Sequence, residues 1–174
     1  MSVNVSARQF SDARLLELIK STLDEFGSSA ELLQIEITES AIMANAETAA
    51  TTLSELRAMG IEVQLDDFGT GYSSLGYLQR LPVDVLKIDR SFVSMSGSAV
   101  GNPQIVRTIT SLAESLSMST TAEGIETLEQ LTELRSLNCT NGQGYYFSPP
   151  LNAADAGALI AGWTQADLVP ALAV

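Results

Sequence analysis

Histidine is absent from the 174-residue sequence, and lysine plus arginine number 9 against 21 aspartates and glutamates. The first absence removes Ser-His and Cys-His nucleophilic pairs, histidine general bases and histidine-ligated zinc. The single cysteine, Cys139, cannot close an intrachain disulfide, which fits a reducing compartment. The shortage of cations leaves a formal net charge of -12, which argues against a nucleic-acid polymer or an anionic membrane surface as the main partner. A phosphate ligand stays open, provided a divalent metal supplies the positive charge. Also missing are an apolar stretch long enough to span a bilayer and a charged-then-apolar leader. The expectation is a soluble cytoplasmic domain without direct membrane contact. Any polar chemistry in it runs on carboxylates, lysine, amides and metal.

What is present is 45% hydrophobic residues, enough for one domain with a sizeable core. Short β-rich runs alternate with amphipathic helical stretches. The runs are VNVS (3–6), LLQIEIT (32–38), EVQLDDF (62–68), VLKID (85–89), STTAEGI (119–125) and GQGYYF (142–147). Several are apolar on successive positions, as strands covered on both faces are. Between them, Ala7 to Phe26 carries Leu15, Ile19, Leu23 and Phe26 at helical spacing, with Gly27 as a stop. Asn45 can cap a helix that ends at Gly60, and Asn102-Pro103 starts another. Thr127 with Gln130 forms a capping-box pattern, and Asn152 precedes a last helix ending near Trp163. This alternation predicts a parallel α/β fold.

Polar residues collect at the C-terminal ends of many runs: Ser6, Glu39, Asp66, Asp67, Asp89 and Glu123. A β/α barrel builds its active site at that end, whereas an open sheet concentrates polar groups at its switch point, so the barrel is favoured. A complete barrel has eight units over about 250 residues. The six runs therefore predict an incomplete TIM-type (β/α) barrel of about six units.

The stretch LDDFGTGYSSL (65–75) sets two carboxylates side by side at the end of an apolar run. A plain surface turn is one reading, because Asp and Gly are ordinary turn formers. The other is a cation site. Asn4, Glu36 and the Asp66–Asp67 pair, with Glu123 on a further run, supply hard oxygen donors. Strands about 4.8 Å apart can bring such groups within reach of one ion. Oxygen ligands without His or Cys favour Mg²⁺ or Mn²⁺ over zinc. Asp66 and Asp67 could serve two ions, an arrangement with spacings of roughly 3.5–4 Å that suits in-line attack on phosphoesters. Lys87 could hold a phosphate oxygen or the nucleophilic water, or form a structural ion pair with Asp89. Gly69-Thr-Gly71 reads as a flexible turn more than a phosphate loop, and Tyr145 and Phe147 are expected to pack in the barrel.

VNVSARQF, LQIEITES, LDDFGTGYSSLGYLQRLPVDVLKIDRSFV, AEGIET and GQGYYFSPPL, in this order, closely resemble the EAL-domain family. These are cyclic di-GMP phosphodiesterases of bacterial second-messenger signalling. The resemblance runs from about residue 2 to 163 and implies a modified TIM barrel. It further implies that Mg²⁺ or Mn²⁺, as two ions in the intact family site, assists water attack on one phosphodiester, giving linear pGpG. By matching positions, Asn4, Glu36, Asp66 and Asp67 resemble metal ligands. Lys87 resembles the residue that positions water or phosphate, and Glu123 a general base or a second partner of the metal. Glu39 resembles the glutamate that anchors the loop with Gly69 and Gly71. Gln143 resembles a residue of the substrate and metal environment, and Glu126 one that touches the ligand.

The Glu-Ala-Leu motif that names the family is absent, and SMSTTAEG is more polar than the family's usual strand at that place. The expectation is an EAL-like domain over 1–164 that lacks its first strand–helix units, followed by a tail over 165–174. Its open terminal strands would be completed by dimerisation or strand exchange, or belong to a longer protein with GGDEF or sensory domains. The expected function is a cyclic di-GMP phosphodiesterase domain, weak or inactive when truncated. The alternative is a non-catalytic cyclic di-GMP receptor or protein-interaction module.

Overall fold

A computed structural model describes residues 1–43, 46–69, 75–94 and 100–162. Six strands form one parallel sheet: β1 (Ser2–Asn4), β2 (Gln34–Thr38), β3 (Glu62–Phe68), β4 (Val85–Ile88), β5 (Ser119–Ala122) and β6 (Asn141–Gly142). Their spatial order is their chain order, β1-β2-β3-β4-β5-β6. A doubly wound sheet reverses direction at a switch point. This one never does, so it is an incomplete (β/α) barrel, a half-barrel.

The pleat sends alternate residues to opposite faces. One face carries Ile35, Ile37, Val63, Leu65, Leu86, Ile88 and Ala122, all buried. Register aligns Ile37 with Leu65, and Leu65 with Leu86. On this apolar wall pack α4 (Ala46–Ala58), which meets β3, and α7 (Pro103–Ser115), which meets β4 and β5. Leu53 and Leu56 of α4 and Val106 and Ile109 of α7 join the same core, as do Leu131 and Leu134 of α8 (Leu128–Ser136).

The other face is polar and laced by hydrogen bonds. Ser2 Oγ donates to Gln34 Oε1 at 3.0 Å, and the Gln34 and Gln64 amides both donate to Glu62 Oε1 at 2.8 Å. A face of this kind can meet water. Six strands therefore hold together on one hydrophobic layer, without the closed apolar centre that a complete barrel packs.

Helix boundaries follow their caps. Ser6 and Gln9 close a capping box on α1 (Ala7–Phe10). The single helix expected from Ala7 to Phe26 is in fact split, because the Asp12 carboxylate accepts from the Arg14 amide and guanidinium and turns the chain there. Next comes α2 (Leu15–Phe26), ended by Gly27 at φ 59°. Leu15, Ile19 and Leu23 pack on the core, but Phe26 is 73% exposed. The caps at Asn102 and at Thr127 with Gln130 form as expected. Asn152 accepts from two amides at the start of α9 (Ala153–Gly162). Asn45, Gly71, Trp163 and the tail 165–174 lie outside the described residues.

The run GQGYYF is strand only through Gly142. A Cβ on Gly144 would lie 2.1 Å from the Ile125 carbonyl oxygen, so the chain turns here in direct backbone contact. Tyr145 consequently points away and is 67% exposed, whereas Phe147 packs against the core. The expectation that both pack in the barrel holds for Phe147 alone. STTAEGI likewise ends as strand at Ala122.

Beside the unpartnered edge of β1, an apolar groove of about 640 Å³ runs along α2, with Met1, Leu18, Phe26 and Leu32 exposed on it. Among the described residues no helix is long and apolar enough to cross a membrane. Leu53 is fully buried between α4 and the sheet. Leu53→Ala should cost about 2–5 kcal/mol of unfolding free energy, read from urea denaturation. A loss below about 1 kcal/mol would mean that this helix–sheet layer is not the core.

Candidate active site

The C-terminal ends of β2 to β6 converge on Lys87. Its ammonium contacts Glu36 Oε2 at 2.5 Å, Glu123 Oε1 at 2.6 Å and Asp66 Oδ1 at 3.1 Å. These carboxylates come from β2, from the residue after β5, and from β3. Glu123 Oε1 also accepts from Gln143 Nε2 at 2.9 Å, which ties in the residue after β6. Register explains the meeting. Thr38 pairs with Asp66, Lys87 pairs with Thr121, and alternation sends Glu36, Asp66 and Lys87 to the polar face.

The Asp66–Asp67 pair sits in a break of register. Leu65 pairs with Leu86 and Phe68 with Ile88, so β3 spends an extra residue opposite Lys87. Within this bulge Asp67 takes the left-handed conformation, at φ 56°. The bulge breaks the strict alternation that a regular strand would impose on neighbouring aspartates.

Electrostatics follows from this crowding. Burial disfavours the Lys87 charge, but hydrogen bonds to Glu123 and Glu36 outweigh it and hold the ammonium well above its ordinary pKa. Burial raises the Glu123 pKa, against the pull of Lys87. Partial burial, followed by repulsion from Asp66 and Asp89, raises that of Asp67. Asp89 makes no ion pair with Lys87. It caps α6 (Arg90–Val93) by accepting from the Ser91 amide at 3.0 Å, and those hydrogen bonds lower its pKa despite burial.

The other predicted residues lie at varying distance from this centre. Asn4 is exposed at the end of β1, in register with Glu36. Glu39 opens α3 (Glu39–Met43) and lines a small apolar pocket with Phe68. Part of the loop it was expected to anchor lies outside the described residues. Glu126 is exposed, and with Gln143 it borders a cleft of about 410 Å³ next to Glu123. Arg90, Tyr145, Pro149 and Pro150 line the same cleft. Arg90 was not among the expected site residues, although it directly follows the KID run.

Oxygen is the sole donor type here, as hard divalent cations require. Asp66 Oδ1 is buried without a hydrogen-bond partner and meets Lys87 only as an ion pair. Both observations fit a divalent ion. Among the described residues no three carboxylates form a ready cage. The cation on which they converge is the Lys87 ammonium.

A model of the EAL domain matches residues 1–150. The chain is 41% identical over 154 residues to the cyclic di-GMP phosphodiesterase NbdA of Pseudomonas aeruginosa, covering 88% of this chain and 20% of that protein. It is 40% identical over 151 residues to the signaling protein YkoW of Bacillus subtilis, covering 87% and 19%. The chain thus spans about a fifth of the length of these curated relatives. The solved EAL domain of Mycobacterium smegmatis DcpA superposes with a TM-score of 0.85 at 40% identity, over 92% of this chain and 72% of that one. The PaMucR phosphodiesterase, solved in complex with c-di-GMP, gives 0.84 at 39% identity, over 89% and 69%.

Removing Lys87 leaves several buried carboxylates facing one another, whereas removing one carboxylate leaves the ammonium two partners. In metal-free buffer, Lys87→Met should cost about 3–5 kcal/mol of stability and Glu123→Gln about 1–2 kcal/mol. Denaturant titration gives the order, and the reverse order would refute the hub role of Lys87.

Proposed function

The chain belongs to the EAL domain family, and from that premise we propose that it carries the site of a metal-dependent cyclic di-GMP phosphodiesterase. The observation that carries the proposal is the convergence of Glu36, Asp66 and Glu123 on Lys87 at the strand C-termini. Asn4, Glu36, Asp66 and Asp67 would hold Mg²⁺ or Mn²⁺. When bound, the metal neutralises the carboxylates and withdraws charge from the phosphodiester. The anionic ligand needs that charge, because the carboxylates around Lys87 would otherwise repel it.

The chain's own residues then divide the work. Lys87 donates to the attacking water or to a phosphate oxygen and favours the negative charge that grows on the phosphoryl oxygens. One water oxygen–phosphorus bond forms and one bridging phosphorus–oxygen bond breaks, giving linear pGpG. Glu123 is already engaged by Lys87 and Gln143 and holds Lys87 in place. The same geometry makes it a poor free base. Tyr145 offers an exposed ring, and stacking against a base contributes about 1–3 kcal/mol. Arg90 and Glu126 supply polar groups to the same cleft. Glu39, at the start of α3, would act as the anchor that the family resemblance implies.

A second reading follows from Lys87 occupying the centre of the carboxylates: a receptor that binds cyclic di-GMP without turnover. The assay is hydrolysis of cyclic di-GMP with Mg²⁺ or Mn²⁺, read as pGpG. Asp66→Ala and Lys87→Ala should each lower kcat by at least about a hundredfold. Full turnover in either variant refutes these roles. Ligand binding in calorimetry with Ca²⁺, but no pGpG with Mg²⁺, selects the receptor. No binding and no turnover rejects both.

The domain is assigned to 1–164, with 165–174 as a tail and with GGDEF or sensory domains as flanking partners in a longer protein. The open β1 edge and its apolar groove are where a second copy would pair. A concentration-dependent dimer in sedimentation, weakened by Leu18→Asp, is the expected result. A monomer at every concentration removes the second copy as partner.

A further inference from the structure

Among the described residues, Lys87 is the only lysine or arginine in the buried set, at 2% exposure. An ammonium offers three donors and no acceptor. Here it meets three carboxylates carried by separate parts of the sheet. Without a cation between them those groups would repel across a poorly solvated space. The contacts are unequal. Glu36 and Glu123 are held at hydrogen-bond distance, while Asp66 Oδ1 is met at 3.1 Å without a hydrogen bond. Glu123 is fixed a second time by Gln143.

We propose that Lys87 is the site's built-in counter-ion: in the metal-free protein its ammonium stands in for a divalent ion between Glu36, Asp66 and Glu123. A divalent ion binds by taking Asp66 and then Glu36 away from it. Glu123, braced by Gln143, keeps Lys87 afterwards. The order follows from the contacts, since Asp66 is the loosest of the three and an oxygen with an unused lone pair is the first a metal can claim. The fold is thereby held open and ordered before metal arrives, and metal affinity is lowered by a competitor that cannot diffuse away. The proposal rests on the metal-dependent reading of the site and concerns binding alone.

Its test uses Mn²⁺ alone and the full chain, with free Mn²⁺ followed by electron paramagnetic resonance and stability by thermal melting. K87M should bind Mn²⁺ at least about tenfold tighter than the unaltered protein, as removal of a competing unit charge a few ångströms away requires. It should melt lower without metal and gain more from saturating Mn²⁺. Equal or weaker Mn²⁺ binding by K87M overturns the proposal and leaves the phosphodiesterase reading intact. No Mn²⁺ binding by either protein overturns both.

A measurement on the unaltered protein covers a K87M that fails to fold. The Lys87 ammonium should give a slowly exchanging signal in ¹⁵N NMR without metal, which shifts as Mg²⁺ is added. A signal that stays put at saturating Mg²⁺, or no protected ammonium at all, overturns the proposal.

Discussion

One buried ammonium shared by three carboxylates is the constraint on which the polar side of this molecule depends. Glu36, Asp66 and Glu123 come from residues far apart in sequence, and each would be costly to bury unpaired. Lys87 makes their approach tolerable and sets their spacing. Through Glu123 and Gln143 the network extends to the last strand, so five consecutive strands, β2 to β6, are joined at their C-terminal ends. The same charge arrangement that stabilises the sheet is therefore the candidate chemistry.

The two faces of the sheet do different work. The outer face is a run of fully buried aliphatic residues against helices, and it supplies the hydrophobic stabilisation. The inner face is a hydrogen-bonded lattice of Ser2, Gln34, Glu62 and Gln64 leading to the charged end. On this inner face Ser2, Gln34, Glu62 and Gln64 pair among themselves, while Asp66 Oδ1 carries no hydrogen bond. Among the described residues no strand pairs with the outer edge of β1, and the groove beside α2 is an exposed apolar surface of the kind that marks interaction sites.

Site geometry depends on departures from regular structure. A bulge places Asp66 and Asp67 together opposite Lys87, and Gly144 brings the chain against Ile125, with Tyr145 exposed on the cleft. Both departures occur where strands give way to loops, the part of a β/α fold that carries function.

Much of this was legible in the sequence. Strand–helix alternation implied a parallel sheet, and polar residues at run ends implied a barrel-type mouth. The caps at Asn102, Thr127 and Asn152 marked their helices, because capping is local chemistry between residues three apart. The break at Asp12, the loss of strand after Gly142 and the exposure of Tyr145 were not legible. Each depends on a competing hydrogen bond or a backbone contact that periodicity does not encode. Lys87 shows the division most clearly. Composition established that a lone cation stood among acidic strand ends, and spacing placed Asp89 nearest to it along the chain. Only the register of the strands could decide that it would turn from Asp89 to Glu36, Asp66 and Glu123, since partners across a sheet are chosen by alignment in space.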